Sequence, residues 1–244
     1  MTTFLKNCFS KQNLFYTLTF VISMAIIITN RILMGFGSIL WIADLGSIFG
    51  ILYVIFMAKH SIWGFVFNIL ATIFICATSF IQHVWLNSFV CVAISLPNLI
   101  FGLVMWIKNK KQNREEQNLK NMNKKGCYIW WGITLGVSAL FTVVLWLIGG
   151  NLFYIDGTFS AMCVVGVILS SRMYIQQYHF FIPANMLGVA LYVVLTIQSL
   201  NNLPYVITNI IYTIVSVMGL INWKKLQKNY QMQNQQIEQQ EEQN

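Results

Sequence analysis

Eight runs of about 20 mostly apolar residues fill most of this chain, and they restrict the solvent in which it can fold. They read as Leu14–Leu33, Gly35–Ala58, Ile62–Ile81, Trp85–Ile107, Tyr128–Ile148, Ile155–Ser171, Tyr178–Ile197 and Leu203–Asn222. Hydrocarbon offers no partner to a backbone amide, so a spanning segment satisfies its own amides as a helix or closes into a barrel. Barrel strands alternate apolar and polar residues over segments of about ten, and no run here does so. With 57% apolar and 9% charged residues, the chain also lacks the charge to clothe a water-soluble surface, for which about a quarter is usual. The fold class is an all-α membrane protein with about eight transmembrane helices.

The net charge of +8 does not point to nucleic acid, because of where the cations fall. With the N-terminus inside, Lys6, Lys11, Lys59, the cluster Lys108, Lys110, Lys111, Arg114, Lys120, Lys124 and Lys125, then Arg172, Lys224, Lys225 and Lys228 all lie on the cytoplasmic side. Arg31 alone lies outside. This is the positive-inside pattern, and it puts both termini in the cytoplasm. The first span has no small-residue cleavage site after it and reads as a retained helix rather than a signal peptide. Trp106, Trp130, Trp131 and Trp223 are expected at the inner surface and Trp41, Trp85 and Trp146 at the outer, as an aromatic belt. Histidines 60, 83 and 179 fall at span ends. The five cysteines (Cys8, Cys76, Cys91, Cys127, Cys163) have no metal-site or disulfide spacing, so no metal or cofactor is expected. No phosphate loop, metal helix or nucleophile elbow is visible, which argues for movement of a solute rather than catalysis.

The polar stretch Lys108–Gly126 divides the spans, and the two sides resemble each other at an offset of 117 residues. Asn68 pairs with Asn185, Gly102 with Gly219, Trp106 with Trp223, and Lys108 and Lys111 with Lys225 and Lys228. Upstream the offset falls to 112 or 113, pairing Asp44 and Lys59 with Asp156 and Arg172, and a gap in the next loop accounts for the drift. The expected organisation is an N-terminal segment with an extra helix (1–34), a three-helix repeat (35–107), a basic cytoplasmic loop (108–127), a linker helix (128–148), a second repeat (149–223) and a Gln-rich tail (224–244) expected to be disordered. One linker helix between two triads makes the repeats parallel, a transporter plan that holds its substrate between the repeats.

Polar side chains in a span cost several kcal/mol unless they meet a partner or a watery cavity, so they are the candidates for a site. Asn68 and Asn185 should sit at similar depth, about 10 Å from their helix starts, and either grip a neutral polar ligand or tie helices together. Asn209 and Tyr212, at i and i+3, share a face of the last span. Asn98, beside Pro97, marks a bend. Asp44 and Asp156 are the carboxylates within the spans; Asp156 suits the start of a helix, and Asp44 lies deeper.

The pattern Asn209-x-x-Tyr212, then Gly219-x-x-x-Trp223, together with the segment Arg172 to Asn185, resembles the PnuC-type nicotinamide riboside (vitamin) transporters, and the likeness covers most of residues 35–223. The chain departs from the family pattern where Gln176 stands in place of an acid and Tyr178 and Phe181 in place of tryptophans. The resemblance implies a three-plus-one-plus-three fold and facilitated diffusion of nicotinamide riboside, thiamine or riboflavin, with trapping by a cytoplasmic kinase. It implies a possible homo-oligomer such as a trimer. It points to Trp63, Asn68, Gln176, Tyr178, Phe181, Asn185, Asn209 and Tyr212 as substrate-binding, with Asp44, Asn98 and Arg172 as further candidates. A sugar carrier of the related triple-helix plan and a non-transporting integral membrane protein are the alternatives.

Overall fold

The computed structural model describes residues 2–34, 40–81, 89–111, 119–149, 152–198 and 203–241. Among these residues the chain is helical: α1 (Thr2–Met34), α2 (Leu40–Ala58), α3 (Trp63–Ile81), α4 (Leu96–Lys111) entered through a π-helical turn (Cys91–Ser95), α5 (Lys124–Leu147), α6 (Phe153–Ser171), α7 (Gln177–Gln198) and α8 (Leu203–Glu241). Seven helices are long and apolar enough to cross a membrane, and α1 adds a shorter apolar stretch, Asn13–Thr29. The expected starts of the second and fourth spans, Gly35 and Trp85, lie outside the described residues. Ile129, Leu135, Leu140, Val143 and Leu147 of α5 are all exposed, a surface that only hydrocarbon covers without penalty.

Two boundaries move for local reasons. The linker helix starts at Lys124 rather than 128, because Asn123 caps it by accepting a hydrogen bond from the Gly126 amide at 2.8 Å. Helix α8 continues to Glu241 through the Gln-rich segment expected to be disordered. Gln, Lys, Met and Glu are good helix formers, and extending an existing helix needs no new nucleus. In the fourth span, Pro97 supplies no amide to the ladder and the backbone widens into the π-turn before it. Asn98 donates to the Ile94 carbonyl there at 2.8 Å.

Helices α2, α3 and α4 form one group and α6, α7 and α8 another, with α5 packed against α6. The contacts between groups are reciprocal: α2 lies on α8, and α6 lies on α4. Details repeat as well. The turn after α2 and the turn after α6 each contain a residue of positive φ, His60 (55°) and Met173 (63°), 113 positions apart. Phe65 meets Trp106 edge-on at 5.7 Å, and Tyr178 meets Trp223 edge-on at 5.5 Å. A Cβ on Gly102 would lie 2.5 Å from the Phe65 ring, and one on Gly219 would lie 2.7 Å from the Tyr178 hydroxyl, so each ring needs its glycine. Phe65 and Tyr178 are also 113 apart, whereas the glycines and tryptophans are 117 apart. The drift in offset therefore falls beyond Tyr178, not in the turn before it. In consequence Asn68 is the sixth residue of α3 and Asn185 the ninth of α7, which separates them in depth by about three residues, or ~4.5 Å.

The end of the bundle that carries Lys59, Arg172 and Lys224, hereafter the basic end, is closed by an aromatic plug. Met57, Phe65, Leu99, Trp106, Met173, Ile175, Tyr178 and Trp223 pack as one cluster. Trp106 is 5% exposed and Trp223 0% exposed, so these two are core residues and not the interface anchors expected of them; Trp41 and Trp146 are exposed. The Trp223 Nε1 donates to the Met57 carbonyl at 2.9 Å, and the Asn222 amide donates to that of Ala58 at 2.9 Å, tying α8 to the end of α2. His60 sits between Trp106 and Trp223, with centroids 4.7 and 5.0 Å away, and burial pushes its pKa down to about 4. A base whose folded pKa lies below its unfolded value of about 6.5 contributes stability that is complete above pH 6.5 and is lost as pH falls toward 4. The melting temperature of the purified protein should thus fall between pH 7 and 5 more steeply than that of a His60→Asn variant; equal slopes would remove His60 as the cause.

Candidate functional site

Above the plug, α2, α6, α7 and α8 bring aromatic and amide side chains together. On α8, Tyr205, Asn209, Tyr212 and Ser216 follow at i, i+4, i+7 and i+11, so they stand in one stripe. The Tyr212 hydroxyl lies directly over Gly50 of α2, where a Cβ would occupy its place. Asn209 donates to the Tyr205 carbonyl at 2.8 Å, and its oxygen rests against Gly188 of α7. Asn185 of α7 reaches Ser216 at 3.5 Å. Phe181 packs on Gly166 of α6 and meets Tyr53 of α2 edge-on, 6.5 Å between centroids. Tyr53 and Tyr212 pack against the same apolar cluster, which includes Ile51, Val54 and Val215.

Tyr53, Cys163, Tyr192 and Tyr212 are each partly exposed. Asn185 and Asn209 are each 6% exposed beside them. The grouping therefore offers flat rings for stacking and two carboxamides that donate and accept, without a formal charge at its centre.

Four of the expected residues, Phe181, Asn185, Asn209 and Tyr212, meet here. The others do not. Gln176 is 6% exposed and holds the segment before α5: it accepts from the Met122 amide at 3.1 Å and donates to Asn121 and to the Met122 carbonyl. Its neighbour Tyr174 pairs with Lys120 in a two-residue parallel bridge. Tyr178 belongs to the plug, and Arg172 is exposed, donating to the Ile168 carbonyl at 3.1 Å as a helix cap. Trp63 is 54% exposed at the start of α3, the position of an amphipathic anchor. Asn68 is 7% exposed, and its amide nitrogen has no partner among the described residues. Sequence reasoning missed Tyr53 and Ser216. Ser216 was legible from the stripe on α8, whereas Tyr53 joins the group only through packing.

Asp44 is occupied structurally. Arg31 of α1 donates to its Oδ2 through Nε at 2.7 Å and also through Nη2. The lone cation expected outside thus has a carboxylate partner, and the pair is walled by Met24, Ile27, Ile28, Ile32 and Ile48. Near the middle of α1, the ammonium of Lys59, the residue after α2, stands 5.1 Å over the Tyr16 ring, a second tie between α1 and the first group. Removing one partner of such a pair leaves an uncompensated charge, at a cost of about 3–5 kcal/mol, whereas removing both is close to neutral. Arg31→Leu and Asp44→Leu should each lower thermal stability in detergent by more than the double variant does. A double variant as unstable as the sum of the singles would show that the pair does not couple.

The nicotinamide riboside transporter PnuC of Neisseria mucosa is 25% identical over 195 residues, 78% of this chain and 74% of the relative. The protein of the same description from Haemophilus influenzae is 25% identical over 195 residues, 77% of this chain and 81% of the relative. The crystal structure of the vitamin B3 transporter PnuC superposes with a TM-score of 0.72 at 21% identity, covering 90% of this chain and 92% of that one, which establishes the shared fold. The profile of the family described as nicotinamide mononucleotide transporter matches residues 40–225, from the start of α2 to just past Trp223. That match takes in both helical groups and every residue of the aromatic and amide grouping, and the chain therefore belongs to the nicotinamide mononucleotide transporter family.

Proposed function

We propose that this membrane transporter carries nicotinamide riboside or a closely related vitamin, with thiamine and riboflavin as the next candidates. The observation that carries this reading is the meeting of Tyr53, Phe181 and Tyr212 with the carboxamides of Asn185 and Asn209 inside the region matched by the family profile. Rings accept a flat heteroaromatic face, and a side-chain carboxamide complements the carboxamide of nicotinamide donor to acceptor. The relatives named for nicotinamide riboside transport support the same substrate.

Transport proceeds by facilitated diffusion, with phosphorylation trapping the solute inside. The paired state of Asp44 favours an uncoupled carrier over one that uses this carboxylate for protons. The two groups act as parallel repeats, α2–α4 and α6–α8, that rock about the solute; the reciprocal contacts and the repeated Gly–aromatic–Trp units support this. The basic end faces the cytoplasm of a bacterial inner membrane, and assembly into a small homo-oligomer completes the reading.

Calorimetry with nicotinamide riboside, thiamine and riboflavin tests the substrate. One vitamin should bind, and Asn185→Ala and Asn209→Leu should each weaken it about tenfold or more, the loss expected when a buried polar partner is left unpaired. Binding of none of the three, with binding of a sugar, would replace the vitamin reading by the sugar carrier. For orientation, a single cysteine at position 113 in a variant without native cysteines should react with an impermeant maleimide in inside-out vesicles and not in intact cells; the reverse pattern would invert the topology.

A further inference from the structure

The spans hold two carboxylates, and the structure treats them differently. Asp44 is neutralised by Arg31. Asp156, near the start of α6, has no ion-pair partner among the described residues, and its only side-chain hydrogen bond is a long one from Ser160, 3.4 Å. An ionised carboxylate in a helical bundle is costly unless it meets water or a cation. The helix N-terminus beside Asp156 lowers that cost but supplies only a partial positive charge of about one half.

The surroundings of Asp156 give it a direction. Asp156, Ser160 and Cys163 follow at i, i+4 and i+7 on one face of α6. Phe159 and Gly166 flank that face, and both contact α7, through Gly188 and Phe181. Gly166, three residues beyond Cys163, seats the Phe181 ring, which meets Tyr53 edge-on, so the helix face that begins at Asp156 leads to the aromatic and amide grouping. Beside it, Tyr192 of α7 and Tyr205 of α8 stack with centroids 5.0 Å apart and planes 22° apart. Phe159 touches Gly188; Asp156 stands three residues before Phe159 on α6 and Tyr192 four residues after Gly188 on α7, so on these antiparallel neighbours both lie about one turn toward the same end. Arg31 and Asp44 neutralise each other, which leaves Asp156 as the unpaired carboxylate of the spans among the described residues. Asp156, the tyrosine pair and Cys163 are all partly accessible.

We infer that Asp156, with Tyr192 and Tyr205, forms an entry subsite that receives the positively charged ring of the solute before it descends to Asn185, Asn209 and Tyr212. The inference rests on the proposed substrate: a nicotinamide joined to ribose through its ring nitrogen is a pyridinium, a flat cation. A carboxylate attracts the charge, and tyrosine faces attract the cationic ring. Asp156 acts here as a specificity-determining residue, separating charged from uncharged rings of one shape.

The test compares nicotinamide riboside with its dihydro form, which keeps the carboxamide and ribose but has an uncharged ring. Binding of both to the full chain in detergent is measured for the wild type, Asp156→Asn and Asp156→Glu. Wild type should prefer the cation, and Asp156→Asn should lose about tenfold in affinity for the cation with little change for the dihydro form. Asp156→Glu should retain the preference, and raised salt should narrow it in the wild type. Equal losses for both ligands would make Asp156 merely a structural helix-start residue, and an unchanged ratio would equally overturn the subsite while leaving the substrate reading intact. Wild type that binds neither form overturns the substrate reading and the subsite with it. Should Asp156→Asn not survive purification, Tyr192→Leu decides: it should weaken the cation more than the dihydro form, and an equal effect counts against the subsite.

Discussion

Hydrocarbon cannot hydrogen-bond, and this one constraint decides most of what is seen. Each span closes its own backbone ladder, and Asn98, next to Pro97, adds a side-chain bond to the Ile94 carbonyl of its own helix. Hydroxyls follow the same rule: Ser23, Thr78, Thr134, Thr196 and Thr213 each donate to the carbonyl four residues earlier in their own helices. Buried polar groups left without a partner among the described residues are few: the hydroxyls of Tyr16, Ser170 and Tyr178, His60 Nε2, the Asn68 amide nitrogen and the Gln177 carboxamide.

The same solvent removes the usual reason for helices to associate, because lipid tails are as apolar as leucine. Close fit takes its place. Rings are seated on glycines at Phe65–Gly102, Tyr178–Gly219, Phe181–Gly166 and Tyr212–Gly50, and one indole and one carboxamide hydrogen bond from α8 to the end of α2 tie the basic end. The plug residues are buried, while the level above keeps accessible surface on Tyr53, Cys163 and Tyr212.

Depth assigns roles that residue type does not. Tyr178 and Tyr212 are both tyrosines on spans of the second group, yet one fills the plug and the other lies over Gly50 at the level above it. Trp106 and Trp223 end their spans like interface anchors, but the turns that carry His60 and Met173 fold back over them and bury them. Gln176, standing where the family resemblance implies a substrate contact, is held instead by backbone and side-chain groups of residues 121 and 122.

The sequence by itself determined the helical membrane class, the approximate places of the spans, the pairing of Gly102 with Gly219 and Trp106 with Trp223, and the Asn209–Tyr212 face. All of these follow from composition and period along one chain segment, where neighbours in space are neighbours in sequence. Only the tertiary structure decided that Arg31 neutralises Asp44 while Asp156 stays unpaired, that Tyr53 joins a site built mainly from α7 and α8, and that Gln176 serves the fold. Those outcomes depend on which helix faces lie against each other, and a hydrophobic helix whose surface is apolar all round does not announce its partners.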